Sequence, residues 1–283
     1  MKIKDNRFLS FVIVFLVYAV ATAVGVIVYN ALNTVFYFSF LIADIVATAV
    51  TFMFSLAFKN ASVYDPYWSV LPIVVVCFYA TETTFTVAKL LPFIAVVLWG
   101  IRLTANWAYT FHGLNHQDWR YTMLREKTGV LYPFVNFFGI HLFPTLVVYA
   151  CMLPVAFTFN MDFNINAGSI IFFCLSICAV VLQGVSDFQM HVYRKNKTTP
   201  FICTGLWKYS RHPNYLGEIL MWWGVALSFT CAVPSMWYLC IGALVNNLMF
   251  IFISIPLADK RQSAKEGFNE YKKATRMLLP LKR

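Results

Sequence analysis

Charge is what this sequence has least of. Only 12% of its 283 residues are charged, where a soluble domain carries about a quarter. Hydrophobic residues make up 60% and aromatics 18%, and the mean hydropathy is +0.68. That balance excludes an ordinary soluble domain and requires a polytopic membrane protein. Acidic residues are scarcest, 12 against 22 Lys and Arg, for a net charge of +10. The positive charge is spread over short segments between apolar runs, which excludes a nucleic-acid-binding domain. The seven cysteines are odd in number, and Cys77, Cys151, Cys174, Cys178, Cys231 and Cys240 lie inside apolar runs. They read as small core residues, not as a disulfide framework. No CxxC and no paired-histidine spacing points to a metal, and there are no repeats or low-complexity segments.

What is present is a succession of apolar runs. Phe8–Tyr29 follows a short basic start and is too long for a signal-peptide core, so it reads as a retained first span despite Ala21-Thr-Ala23. A second run covers Val35–Phe58 and contains Asp44, a carboxylate expected at a helix contact beside a Thr or Ser. The polar break Lys59–Trp68 contains a proline that ends one helix and begins another. Ser69–Ala80, Phe85–Ile101, Pro133–Thr158, Gly168–Gln189, Tyr215–Val233 and Met236–Leu257 complete the set. The third is short, so the expected fold is an all-α membrane bundle of seven or eight spans. With eight spans and the N-terminus inside, every Lys and Arg except Lys89 falls on the inner side, which places the C-terminus in the cytosol. The charged tail is expected to form an amphipathic helix around Lys265–Met277.

The most informative stretch is Thr204–Gly224, TGLWKYSRHPNYLGEILMWWG. Lys208, Arg211, His212, Asn214 and Glu218 crowd a span entrance here. Arg and Lys at a helix start suit phosphate or carboxylate. Asn214 and Glu218 share a helix face, and a carboxylate at the membrane edge needs a donor such as a ribose hydroxyl or an amide. Tyr209, Tyr215, Trp222 and Trp223 offer stacking surfaces or an interfacial aromatic belt, and Arg211 with His212 serves an anionic cofactor or lipid headgroups.

This stretch resembles the C-terminal signature of the steroid 5α-reductase family, in its DUF1295 branch. Asp65-Pro-Tyr-Trp68, Arg102-Leu-Thr, Gln117-Asp-Trp-Arg-Tyr121, Ser186-Asp187 with Arg194, and Glu270-Tyr271 with Pro280 extend the resemblance from Asp65 to the C-terminus. It divides the chain into N-terminal transmembrane helices (1–60) and a family domain (61–283). It implies NADPH held among the C-terminal helices on the cytosolic side and hydride delivery to a C=C bond of a hydrophobic, lipid-like substrate. Asp187 and Arg194 would hold the adenosine-phosphate end. Tyr209, Arg211, His212 and Asn214 would line the cofactor path, with Glu218 near the nicotinamide ribose. Glu270 and Tyr271 would close the site, and Arg102, Asp118 and Arg120 would pair with one another or with phosphate.

Two family positions differ. Ser69-Val70 stands where steroid-type reductases carry a Gln-Glu pair, and Trp99 aligns with their catalytic tyrosine. Asp65, Trp68 and Tyr67, close by, are the candidate replacements, and Asp65, Tyr67 and Glu218 form the candidate catalytic set. Related signatures occur in isoprenylcysteine and phospholipid methyltransferases, so S-adenosylmethionine is the alternative cofactor. A non-catalytic lipid-binding protein is the third reading. In each case the lipid bilayer is the partner, as a bacterial plasma membrane or a eukaryotic endoplasmic reticulum.

Overall fold

The computed structural model describes residues 3–280, so the outermost ends of the basic N-terminus and tail lie outside the described residues. Backbone polar groups in lipid must be satisfied within their own segment, and helices do this. Among the described residues the chain is nearly all helical, with no strand and one isolated bridge between Ser210 and Arg276. Eight segments are long and apolar enough to cross a membrane: Arg7–Ala31, Phe36–Phe58, Ala61–Glu82, Val87–Thr110, Trp119–Asn160, Ala167–Lys195, Pro213–Ala232 and Pro234–Gln262. The count is eight because the third begins earlier than its apolar run. A 3-10 turn at Ala61–Tyr64 leads through Pro66, at the helix start, into Tyr67–Glu82.

We number the α-helices α1 (Arg7–Ala31), α2 (Phe36–Phe58), α3 (Tyr67–Glu82), α4 (Val87–Thr110), α5 (Trp119–Thr128), α6 (Tyr132–Val135), α7 (Phe143–Asn160), α8 (Ala167–Lys195), α9 (Pro213–Ala232), α10 (Ile241–Met249), α11 (Ile255–Gln262) and α12 (Phe268–Ala274). Two are joined to their neighbours by π-helical turns, Asn136–Leu142 before α7 and Phe250–Ser254 between α10 and α11. Such turns add a residue to the helix and recur at functional sites.

The chain forms two compact units. The first comprises residues up to Thr83 together with Trp99–Ala156. Its core is built on Val14, Val17, Tyr18 and Ala21 of α1, Ala47 of α2, and Val63, Tyr64 and Tyr67. A Cβ added at Gly25 would lie 3.5 Å from the Ala43 carbonyl and from Ala47, so small residues bring α1 and α2 together. The polar loop before α5 folds onto this unit: Asn60 Nδ2 donates to the Leu114 and His116 carbonyls at 2.7 and 2.9 Å, and Asp118 N donates to Ser62 Oγ at 2.9 Å.

The second unit comprises Thr84–Leu98 and the residues from Phe157 onward. The α8–α9 pair forms its centre. A Cβ at Gly217 would sit 2.5 Å from Gln183 Cγ and 2.8 Å from the Ala179 carbonyl, and one at Gly224 would clash with Ser176. These glycines, seven residues apart on one face of α9, let the two backbones approach. The tail helix is shorter than the sequence pattern suggests. It starts after Gly267, at φ +75°, and ends at Ala274. Beyond it the backbone pairs with another segment: Arg211 N donates to the Arg276 carbonyl at 3.0 Å.

Candidate functional site

The Arg-His pair that opens α9 is buried against one acidic residue. Pro213, at the first helical position, stops the preceding segment and starts the helix. This leaves Arg211 and His212 on a non-helical approach at its N-terminus. Arg211 Nη2 donates to Asp259 Oδ2 at 3.0 Å, and His212 Nε2 donates to Asp259 Oδ1 at 2.9 Å. Arg211, His212 and Asp259 are 7%, 6% and 4% exposed, so the group gains from low dielectric but depends on staying fully paired. Lys272 Nζ adds a longer contact to Asp259 Oδ2, 3.4 Å. Arg211 Nη1 donates to the Lys272 and Thr275 carbonyls at 3.2 and 2.6 Å, which ties the tail to the α9 entrance. The Tyr271 hydroxyl closes the same connection by donating to the Trp207 carbonyl. Burial pushes this phenol's pKa up, with Arg211 opposing, so it remains a donor throughout the ordinary pH range.

One turn further along α9, Glu218 is 4% exposed and bound at both oxygens. Trp222 Nε1 donates to Oε1 and Gln183 Nε2 to Oε2, each at 3.0 Å. Trp222 is thus an internal hydrogen-bonding residue, not part of an interfacial belt. Tyr215 stacks on His212 at 5.2 Å with the rings 6° from parallel, and it also packs against Phe250 at 4.9 Å, in the π-helical turn.

Several buried atoms of the second unit have no hydrogen-bond partner in the protein: Arg211 Nε, Asn214 Oδ1, Asn246 Nδ2, Gln262 Oε1 and Gln183 Oε1. Asn214 is in the first turn of α9, Gln262 lies one turn beyond Asp259 on α11, and Asn246 lies one turn before Phe250. Two are donors and three are acceptors. An unpaired buried polar atom costs about 1–3 kcal/mol, so this set suits a ligand carrying both acceptors and donors.

The other residues expected at the site are placed as follows. Asp187 and Arg194 share α8, two turns apart, the first half-buried and the second exposed. Tyr209 is 56% exposed, with Lys208 Nζ 5.9 Å from its ring centre. Glu270 is exposed on α12. All of these belong to the second unit, whereas Asp65, Tyr67, Arg102, Asp118 and Arg120 belong to the first. There Asp118 caps α5 and pairs with Arg120, whose Nε donates to Oδ1 at 2.8 Å. Arg102 is half-buried on α4. Asp65 Oδ1 accepts from the Tyr121 hydroxyl at 2.6 Å, and the Tyr67 hydroxyl donates to Asp44 Oδ1 at 3.2 Å. Asp44 therefore has a tyrosine partner at a helix contact, not the threonine or serine expected.

Asp259 is the main residue that sequence reasoning missed. In the sequence it stands simply at the start of the charged tail. The available signal was an acidic residue at the end of the last span in a chain poor in acids, facing an Arg-His pair far away in sequence. Asn246 and Gln262, amides within or at the end of a long apolar run, carried a similar signal.

Among proteins of known sequence, an uncharacterized protein of Schizosaccharomyces pombe, C594.04c, is 29% identical over 193 residues, a match covering 58% of this chain and 56% of that protein. The chain thus aligns with little more than half the length of that relative. No solved structure matches it. The profile of the family described as proteins of unknown function, DUF1295, matches residues 51–275, which take in α3 to α12, the Arg211–His212–Asp259 group and Glu218. This integral membrane protein belongs to the DUF1295 family.

Proposed function

We propose that the protein is a membrane-embedded reductase that uses NADPH to reduce a C=C bond in a lipid-like enone. The observation that supports this reading is the set of buried, unpartnered donors and acceptors in the second unit, Arg211 Nε at the Asp259 pair among them. The resemblance to steroid 5α-reductases gives the ligand. Phosphate, ribose and carboxamide groups offer acceptors for Arg211 Nε and Asn246 Nδ2 and donors for Asn214 Oδ1, Gln262 Oε1 and Gln183 Oε1. When bound, NADPH supplies a hydride.

The chain's own residues have separable tasks on this reading. Asp259 holds Arg211 in a fixed orientation, leaving its Nε as a directed donor. Glu218, fixed by Gln183 and Trp222, is a buried carboxylate on the same helix as Asn214. Tyr209, His212, Asp187 and Arg194 extend the binding surface, and Tyr271 with Glu270 closes it from the tail. In the first unit, Tyr67 backed by Asp44 and Asp65 backed by Tyr121 are the groups able to hold and release a proton for the substrate carbonyl. Arg102, Asp118 and Arg120 form that unit's polar loop. The excess of Lys and Arg at the span ends supports a cytosolic C-terminus.

The test is NADPH consumption by detergent-purified protein against sterol and polyprenyl enones, followed by loss of cofactor absorbance. The reading requires substrate-dependent oxidation that Tyr67→Phe or Asp65→Asn reduces. Methyl transfer from S-adenosylmethionine without any NADPH oxidation would replace it with the methyltransferase reading.

A further inference from the structure

Beyond Asp44, the first unit buries further polar groups that the proposed function does not use. Along α2, Asp44, Thr48, Thr51 and Ser55 fall at helical spacing and form one face, all of them no more than 4% exposed. This face meets other elements of the unit through specific bonds. Thr145 Oγ1 lies 2.9 Å from Thr48 Oγ1 and 2.8 Å from the Tyr64 hydroxyl, and Asn136 Nδ2 donates to Ser55 Oγ at 3.1 Å. One turn before Thr145, His141 is fully buried. Its ring lies 4.6 Å from the Tyr64 ring and 5.4 Å from Phe52.

His141 has one nitrogen engaged and one without a partner. Nδ1 lies 3.0 Å from the Asn136 carbonyl oxygen. A carbonyl only accepts, so Nδ1 carries the proton, and in the neutral ring Nε2 is then an acceptor. Nε2 has no partner in the protein, nor does Asn136 Oδ1. The π-helical turn Asn136–Leu142 fixes the ring, because its five-residue spacing sets His141 Nδ1 against the Asn136 backbone carbonyl. Rotating the Asn136 amide would exchange which of its ends faces Ser55. The missing partner must therefore donate to His141 and be able either to donate to or to accept from Asn136. A hydroxyl group does both. The site lies within membrane-spanning segments, among Phe52, Tyr64 and the α2 face, where a ligand's remaining surface must be apolar.

We propose that the first unit contains a binding site for the hydroxyl group of a membrane-soluble alcohol, with His141 Nε2 as its acceptor and the Asn136 amide as its second contact. This goes beyond the reductase reading and does not depend on the cofactor.

Thermal unfolding of the full-length protein in detergent tests it, with 1-dodecanol, geranylgeraniol and cholesterol each compared with its methyl ether. At least one alcohol is expected to raise the midpoint while its ether, which cannot donate, does not. His141→Phe, which keeps a ring but removes the acceptor, is expected to abolish the difference, and His141→Gln, which restores an acceptor, to retain it. The inference is overturned if no alcohol outperforms its ether on the wild-type protein, leaving an internal water as the partner. It is also overturned if His141→Phe responds as wild type does. Should His141→Phe not fold, the alcohol–ether contrast on wild type and His141→Gln decides. NADPH titrated in parallel reads the second unit, so failure of one proposal is distinguishable from failure of the other.

Discussion

In the second unit one carboxylate, Asp259, holds an arginine and a histidine and draws in a lysine, whereas in the first unit Asp44 meets a single phenol, Tyr67. The first arrangement stands at the end of the last span, where its cations tie together two chain segments and the tail. The second stands inside a span, among threonines, tyrosines and amides. Charge is concentrated at the end of a span, and neutral hydrogen bonding inside one, where unpaired charge is costly. Both centres include a π-helical turn and unpartnered buried atoms. One set suits a multiply charged ligand with many polar atoms, and the other suits a single hydroxyl.

The largest effect that breaks this comparison should come from Asp259→Ala. It leaves Arg211 buried without its carboxylate, a loss of about 3–5 kcal/mol. Because Arg211 also holds the Thr275 carbonyl, limited proteolysis should cut the tail more readily, and a lower unfolding midpoint should accompany it. Glu218→Gln comes next, since the carboxylate accepts from both Gln183 and Trp222. Losing one charge-assisted bond costs about 1.5–3 kcal/mol, measurable by thermal unfolding, and should also weaken any NADPH response.

Tyr271→Phe removes one bond, to the Trp207 carbonyl, at about 1 kcal/mol. Its pH dependence follows from the raised pKa of the buried phenol. The contribution is complete below the ordinary tyrosine range and is lost only as pH rises above it. The wild-type minus Tyr271→Phe difference in midpoint should therefore stay constant from acid to moderately alkaline pH.

The smallest effect concerns Lys265, whose pKa is lowered by burial and then by Lys197, Arg261 and Arg194. Charging it is less favourable in the folded protein than in the unfolded chain, so this penalty is present at neutral pH, fades as pH rises towards the ordinary lysine range and is gone above it. Lys265→Gln should raise the unfolding midpoint slightly at low salt and not at high salt, where screening removes the repulsion.

The membrane fold was legible because lipid leaves few options: long apolar runs must become helices. The third span was ambiguous because its first turn, Ala61–Tyr64, and the preceding Asn60 gain their partners from the distant loop at Leu114–Asp118. The α9 entrance was legible because Arg211, His212, Asn214 and Glu218 are neighbours in sequence. Asp259 was not, because its pairing with Arg211 is set by packing and not by spacing. The tail helix was overextended for a related reason: its last residues are used by Arg211 and Ser210 as extended backbone. In the first unit, the apolar residues around Asp44, Thr48, Thr51 and Ser55 masked a polar face that helical spacing alone could have revealed.

The central claim is that the unpartnered atoms of the second unit receive a dinucleotide. Its most direct test is a binding titration of purified protein with NADPH, NADH and S-adenosylmethionine, repeated on Asn214→Ala and Gln262→Ala. These variants remove unpartnered acceptors and leave Arg211, His212 and Asp259 in place. The account predicts that NADPH binds the wild-type protein and that each variant, still folded, binds it several-fold more weakly. Saturable binding of S-adenosylmethionine alone, or NADPH binding unchanged in both variants, would contradict it.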